Sequence, residues 1–259
     1  MDGEGRRVET GELERMAGFE DWYWWHRGRQ TIVRRILAHY APPRARILDV
    51  GCGTGATSAA LRGFGSVCGI DMGPAALRHA RARGLAVARG SAEKLPVRPA
   101  AFDVVVALDV IEHLDDDRLA LREMLRVLRP GGVLLATVPA YPFLWSSHDE
   151  ALGHRRRYLR PQLRERVRGA GFEIALCSYI MGSILPIAIA VRLAERLLRR
   201  RGPAQSGYPA LPRFLNDALA RLVGLGGHFA PIVSLPFGLS IMVVARRPTA
   251  PVADCDGGS

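Results

Sequence analysis

This chain of 259 residues has little of what marks secreted, metal-stapled or membrane-spanning proteins. Its four cysteines, Cys52, Cys68, Cys177 and Cys255, show no paired spacing. That argues against a disulfide framework and for reduced thiols in a cytoplasmic chain. The first thirty residues hold acidic and basic side chains and no apolar core segment, so no secretory signal is expected. There are no internal repeats, and aromatic residues make up only 7%. Lysine is scarce, and arginine supplies nearly all of a formal net charge of +11. An excess of that size is compatible with nucleic acid, an anionic membrane surface or an acidic substrate as partner. No RNA-binding module or aromatic-basic platform accompanies it, so nucleic acid is not the expected partner. Nearly half the residues are apolar, enough for a substantial core.

What is present is organised around Arg46 to Ser58, RILDVGCGTGATS. Ile47, Leu48 and Val50 read as a strand that runs into Gly51, Gly53 and Gly55, and Ala56 to Leu61 read as the start of a helix. Glycine suits a tight turn in which a ligand lies against bare main chain and faces the free N–H groups of the next helix. A second apolar run, Ser66 to Ile70, ends at Asp71, where an acidic side chain would accept hydrogen bonds from ribose hydroxyls. The Gly-x-Gly-x-Gly spacing differs from the Gly-x-Gly-x-x-Gly of dinucleotide sites and points away from a pyrophosphate ligand.

Further segments follow in order: GIDM, GSAEKLP (Gly90 to Pro96), FDVVVALDVIEHL (Phe102 to Leu114) and LRPGGVLLATVP (Leu128 to Pro139). With ILDVGCGTG these resemble a class I S-adenosylmethionine-dependent methyltransferase over roughly Arg46 to Pro139. The resemblance implies an α/β fold: a Rossmann-like, doubly wound, seven-stranded, mostly parallel sheet with an antiparallel last strand and a helical insertion before it. It implies S-adenosyl-L-methionine as cofactor. Gly51, Gly53 and Gly55 would lie beneath its methionyl part, Asp71 would hold the ribose, and Met72, Ala92 and Glu93 would border the adenine. Leu108 and Asp109 would present main chain near the methionyl group, with Asp49 on the cofactor side as organiser of the glycine loop. Related enzymes carry a Trp-Trp-x-Arg-Gly-Arg stretch matching Trp24 to Arg29, so Arg27 or Arg29 is expected on the methionyl carboxylate. The aromatic cluster from Phe19 to Trp25 either staples the N-terminal helix to the core or closes over the cofactor.

After Pro139 comes AYPFLWSSHDEALGHRRRY, a loop starting at the edge of the same crevice. As an acceptor-side lid it would supply Tyr141, Trp145, Arg156 and Tyr158 to substrate; the competing reading is a solvated charged loop. If the acceptor is a hydroxyl, a base must take its proton, and histidine has the most suitable pKa. His148 is the first choice, Asp149 the orienter of a neighbouring imidazole, and His113 and His154 follow. Arg156 and Arg157 would suit an anionic acceptor. The spacing of these histidines and acids matches no established ligand pattern, so no metal is expected.

The rest divides into an N-terminal helical cap (1–45), the cofactor domain (46–179 and 239–247), an apolar and basic helical insertion (180–238) and a disordered tail (248–259). No charge falls between Ile174 and Val191, a length near the transmembrane range. Its first part is needed as the sixth strand, however, and Pro186 interrupts the remainder. A helix on a membrane surface, at a homodimer interface or packed on its own domain is expected instead. The function expected is methyl transfer to a hydroxyl of a lipid-linked, isoprenoid or glycan acceptor at the inner membrane face. The alternative is a soluble small-molecule methyltransferase using the insertion to dimerise.

Overall fold

The computed structural model describes residues 17–197, 211–229 and 233–249. The expected mobile start, most of the 202–212 connector, nearly all of the tail and Cys255 lie outside the described residues. Seven strands form one sheet in the order β3-β2-β1-β4-β5-β7-β6. They are β1 (Ala45–Val50), β2 (Gly65–Asp71), β3 (Ala86–Arg89), β4 (Phe102–Leu108), β5 (Leu128–Pro139), β6 (Glu173–Ile180) and β7 (Ser240–Arg246). The first five pair in parallel, and β7 runs antiparallel to both β5 and β6. The expected α/β architecture is thus the observed one. Strand order reverses between β1 and β4, which opens a crevice above their carboxyl ends.

Alternation along each strand sends successive residues to opposite faces. Ile47, Val104, Val106, Leu135 and Val244 pack on one side, and Leu48, Val50, Val105, Ala107, Leu134 and Val243 on the other. The second face is covered by the helices Asp117–Val127 and Arg160–Gly169, through Leu121, Met124, Leu163 and Val167. The Asp116 carboxylate starts the first of these by accepting the N–H groups of Arg118 at 3.0 Å and Leu119 at 2.9 Å.

The first face is covered by the helix Trp24–Tyr40, whose Ile32, Val33, Ile36 and Leu37 are fully buried. Across it lies the helix Arg213–Phe229 from the insertion. The two approach so closely that a Cβ on Gly28 would meet Val223 Cγ1 at 2.5 Å. Asn216, only 3% exposed, pins them together. Its Oδ1 accepts the Trp24 N–H at 2.8 Å, and its Nδ2 donates to the Trp22 carbonyl at 2.8 Å. Cap and insertion therefore share one core, although the sequence reading drew them as separate units.

Pro186 does not interrupt a helix. It occupies the second position of the helix Leu185–Leu197, where its missing N–H has no intrahelical partner to lose. Ile187, Val191, Leu193 and Leu197 along that helix are all exposed. No helix among the described residues is long and apolar enough to cross a membrane.

Replacing Asn216 by alanine leaves the Trp24 N–H and Trp22 carbonyl unpaired in a closed interface. We expect a loss of about 1–3 kcal/mol in urea denaturation. An insertion that folds apart from the cap would leave stability unchanged.

Candidate functional site

The crevice floor is the β1 turn. Gly51, Gly53 and Gly55 have φ of +70°, +54° and +83°, the left-handed region that side chains adopt at a cost. Their surroundings differ. A Cβ on Gly51 would meet Val110 Cγ2 at 2.5 Å and one on Gly55 would meet Leu85 Cδ1 at 2.4 Å, whereas one on Gly53 would meet nothing within 4 Å. Gly51 and Gly55 serve internal packing, and Gly53 borders open space.

Asp71 closes this floor from the tip of β2. One carboxylate oxygen accepts the Gly53 N–H at 2.9 Å and the other the Gly73 N–H at 2.7 Å. Each oxygen retains a lone pair for a hydroxyl donor. Met72 beside it is 43% exposed. Asp49 lies underneath, 3% exposed, accepting from the Ser58 hydroxyl. Burial pushes its pKa up to about 7 against the lowering effect of that hydrogen bond. It positions the loop and does not line the crevice. Thr54, also in the turn, donates its hydroxyl to Glu20, so the segment before the N-terminal helix reaches the glycine turn.

At the end of β4, Leu108 is half-buried and Asp109 adopts φ of +55°. Asp109 accepts the Thr137 hydroxyl at 2.9 Å and pairs with Arg29. Arg29 is thereby placed beside the β4 tip. Arg27 is not: it forms an exposed ion pair with Asp217 on the helix Arg213–Phe229. Two residues apart on a helix face in nearly opposite directions, so only one of this pair can reach the crevice. Ala92 packs into the core. The Glu93 carboxylate accepts the Asp116 N–H at 2.9 Å, which secures the start of the following helix.

The loop that follows β5 is built around Asp149, whose side chain has no exposed area. It accepts from Ser146 N–H at 2.9 Å, from Arg157 Nε at 2.8 Å and Nη2 at 3.0 Å, and faces His154 Nδ1 at 2.9 Å. Burial alone would raise its pKa, but the hydrogen bonds from His154 and Arg157 and their charge hold it well below the usual carboxylate range. The imidazole that Asp149 orients is therefore His154. His148, the expected base, is held neutral by burial, with its pKa near 4 despite the opposing pull of Asp149.

The contact with Asp149 occupies His154 Nδ1 and turns Nε2 away from it. Nε2 lies 3.8 Å from Glu112 Oε1. Glu112 is fully buried and neither carboxylate oxygen has a hydrogen-bond partner. Burial, with help from Asp109, drives its pKa well up. His113 stands edge-on to His154 with ring centroids 4.8 Å apart. Its pKa falls to about 4 through burial and then through His154.

The substrate-side expectations need correction. Tyr158 is 3% exposed and its hydroxyl donates to Asp117 at 2.8 Å, so it is a core support. Arg156 donates to the Leu114 carbonyl at 3.0 Å and pairs with Asp117, bracing one loop on another. Arg157 is spent on Asp149 and the Ala140 carbonyl. Tyr141 stacks on Tyr179 at 5.1 Å and Trp145 is half-buried. Sequence reading passed over Glu112 altogether. Its signal was the neighbouring His113 in VIEHL, but nothing local shows that His154 folds back onto it.

The methyltransferase-domain family model matches residues 48–136. A protein of Mycolicibacterium smegmatis named as a probable S-adenosylmethionine-dependent methyltransferase is 35% identical over 170 residues, covering 64% of this chain and 65% of the relative. The ubiquinone biosynthesis O-methyltransferase of Pseudomonas paraeruginosa is 42% identical over 152 residues, covering 49% of this chain and 64% of the relative. The matches thus span less than two thirds of the length of either curated relative. Among solved structures, the Haloferax volcanii chain in complex with the Trm112 methyltransferase activator superposes with a TM-score of 0.62. It has 22% identity and covers 94% of this chain and 99% of that one, a likeness of fold.

Asp149 ties stability to acidity. Its folded pKa lies below its unfolded one, so the stability it contributes is complete above about pH 5 and drains away as pH falls towards the folded value. Asp149→Asn is expected to lose about 3 kcal/mol at neutral pH, the scale for removing one partner of a buried pair. Its stability should also decline less below pH 5 than the parent's, as read by urea denaturation across a pH series.

Proposed function

Because residues 48–136 match the methyltransferase-domain family model and relatives are named as probable S-adenosylmethionine-dependent methyltransferases, we propose that the protein transfers a methyl group from that cofactor to a hydroxyl acceptor. The observation that supports it most is the pairing of Gly53, whose α-carbon faces open space, with Asp71, whose carboxylate retains acceptor capacity at the neighbouring strand tip. These residues fit the group. Asp71 would take the ribose hydroxyls, Met72 would lie against the adenine, and Arg29 beside the β4 tip would face the methionyl carboxylate.

Bound there, the cofactor supplies an electrophilic methyl on a sulfonium. The chain's task is then to hold the acceptor in line and handle its proton, chiefly a matter of positioning. The acceptor side is the wall made by Glu112, His113, His148 and His154, with His154 locked in orientation by Asp149. An imidazole that is neutral at physiological pH, as burial makes His113 and His148, is in the form that accepts a proton.

The acceptor we favour is lipid-linked or isoprenoid. The exposed apolar helix Leu185–Leu197 supports this, as do arginines 199 to 201 following it in sequence and the net charge of +11. Such a helix lies in an interface with its apolar side chains buried and its cations on anionic headgroups. The ubiquinone-pathway O-methyltransferase among the relatives is in keeping with an isoprenoid acceptor. A second copy of the chain would also cover those side chains, and that is the alternative reading.

Two measurements test this. In calorimetry with S-adenosylhomocysteine, Asp71→Ala should bind about 10–100-fold more weakly, equivalent to one or two charge-assisted hydrogen bonds. Absence of heat with the folded parent would end the assignment. In co-sedimentation at low salt, the parent should pellet with anionic vesicles, and Ile187→Glu/Val191→Glu should stay in the supernatant. A parent that remains with the supernatant and scatters light as a dimer would favour the alternative.

A further inference from the structure

We propose that Glu112, His113 and His154 form a divalent-cation site on the acceptor side of the crevice, suited to a first-row transition metal such as Zn2+. The role of the site rests on the methyltransferase reading; its existence does not. One ligand atom from each residue lies within 4.8 Å of the others. A tetrahedral site with the usual bond lengths places its ligand atoms about 3.4 Å apart. The 3.8 Å between His154 Nε2 and Glu112 Oε1 is already close to that.

The independent observation is Glu112 itself. Burying a carboxyl group with no hydrogen bond is costly, and both oxygens of this one are buried without a partner. A cation between it and the two imidazoles removes that cost. The support around His154 has the form a metal ligand needs: a carboxylate on the far nitrogen fixes the tautomer and aims the near one. Asp149 provides that hold on Nδ1, and Arg157 in turn fixes Asp149. The local charge also permits a cation: three carboxyl groups, Asp109, Asp149 and Glu112, stand there, with Asp109 paired to Arg29 and Asp149 to Arg157. Two imidazoles with one carboxylate prefer zinc-like ions over magnesium or calcium, which favour oxygen. The site departs from the expectation of no metal, because His113 and Glu112 come from β4's exit and not from the loop that holds His154.

Three protein ligands leave a coordination position for an outside oxygen. An acceptor hydroxyl placed there becomes more acidic. It gives its proton to solvent as the oxygen bonds the methyl carbon, and the sulfonium sulfur keeps the electron pair of the broken bond. The cation would thus explain how a wall of buried, weakly basic groups can serve an O-methyl transfer.

The test uses the full chain, stripped with chelator and titrated with Co2+ while visible absorption is followed. Calorimetry with S-adenosylhomocysteine runs on the same samples. The expected result is one Co2+ per chain, displaced by Zn2+. His113→Ala, His154→Ala and Glu112→Gln should each bind it at least about tenfold more weakly, with homocysteine-product binding unchanged within about twofold. A parent that binds the nucleoside product but takes up neither ion overturns the site. So does uptake that survives both histidine substitutions. Uptake by a parent that shows no product binding would leave the site standing and remove the methyltransferase reading. His113 is less deeply buried than Glu112, so its variant remains informative if Glu112→Gln fails to fold.

Discussion

The crevice depends on one carboxylate bridging two strand tips. Asp71 accepts a backbone N–H from the β1 turn on one oxygen and one from its own strand's exit on the other. Hydrogen bonds to an ionised acceptor are about twice as strong as neutral ones, and here they tie together a loop of glycines that has little conformational preference of its own. The parallel pairing of β1 with β2 sets the distance, since Val50 opposite Ile70 puts the two strand ends level. Without that register the glycine turn would have no fixed relation to the acid.

Asp149 uses the same functional group to the opposite effect. Its donors are a guanidinium, an imidazole, and the backbone N–H and hydroxyl of Ser146, and it is closed to solvent. All its capacity goes into fixing the loop, and none is left for a ligand. The difference follows from burial. A half-exposed carboxylate on backbone donors can still receive hydroxyls, while a buried one stays ionised only if cations surround it. Glu112 is the third case, buried without such donors, and its carboxyl is driven towards the neutral form.

Local signals in the sequence were enough for the first two strands, the glycine turn and the helix that follows it, because each is written within a few residues. Choices between neighbours were not legible. Arg27 and Arg29 are alike as residues, and only the helix phase set by Ile32, Val33, Ile36 and Leu37 decides that Arg29 turns towards Asp109. His148 and His154 flank the same acid, and the short helix Ser147–Ala151 turns Asp149 to the second. Tyr158 and Arg156 look like lid residues in a polar loop, yet Asp117, some forty positions earlier, draws both inward. Pairings of that separation are properties of the fold and leave no mark on the segment that contains them.

The exposed helix Leu185–Leu197 is linked to this chemistry through its root. It leaves the sheet just after β6, whose Tyr179 stacks on Tyr141 at the head of the acceptor loop, with rings 12° from parallel. Its return path, the helix Arg213–Phe229, is clamped to the N-terminal helix by Asn216, and that N-terminal helix also bears Arg29. The apolar helix is therefore rooted at its start beside the loop that follows β5, and the helix Arg213–Phe229 later in the chain packs on the element that reaches the β4 tip. Exposed side chains such as Ile187, Val191, Leu193 and Leu197 gain free energy in proportion to the area a partner covers. Whatever covers them will act on a helix whose root lies beside the loop that follows β5.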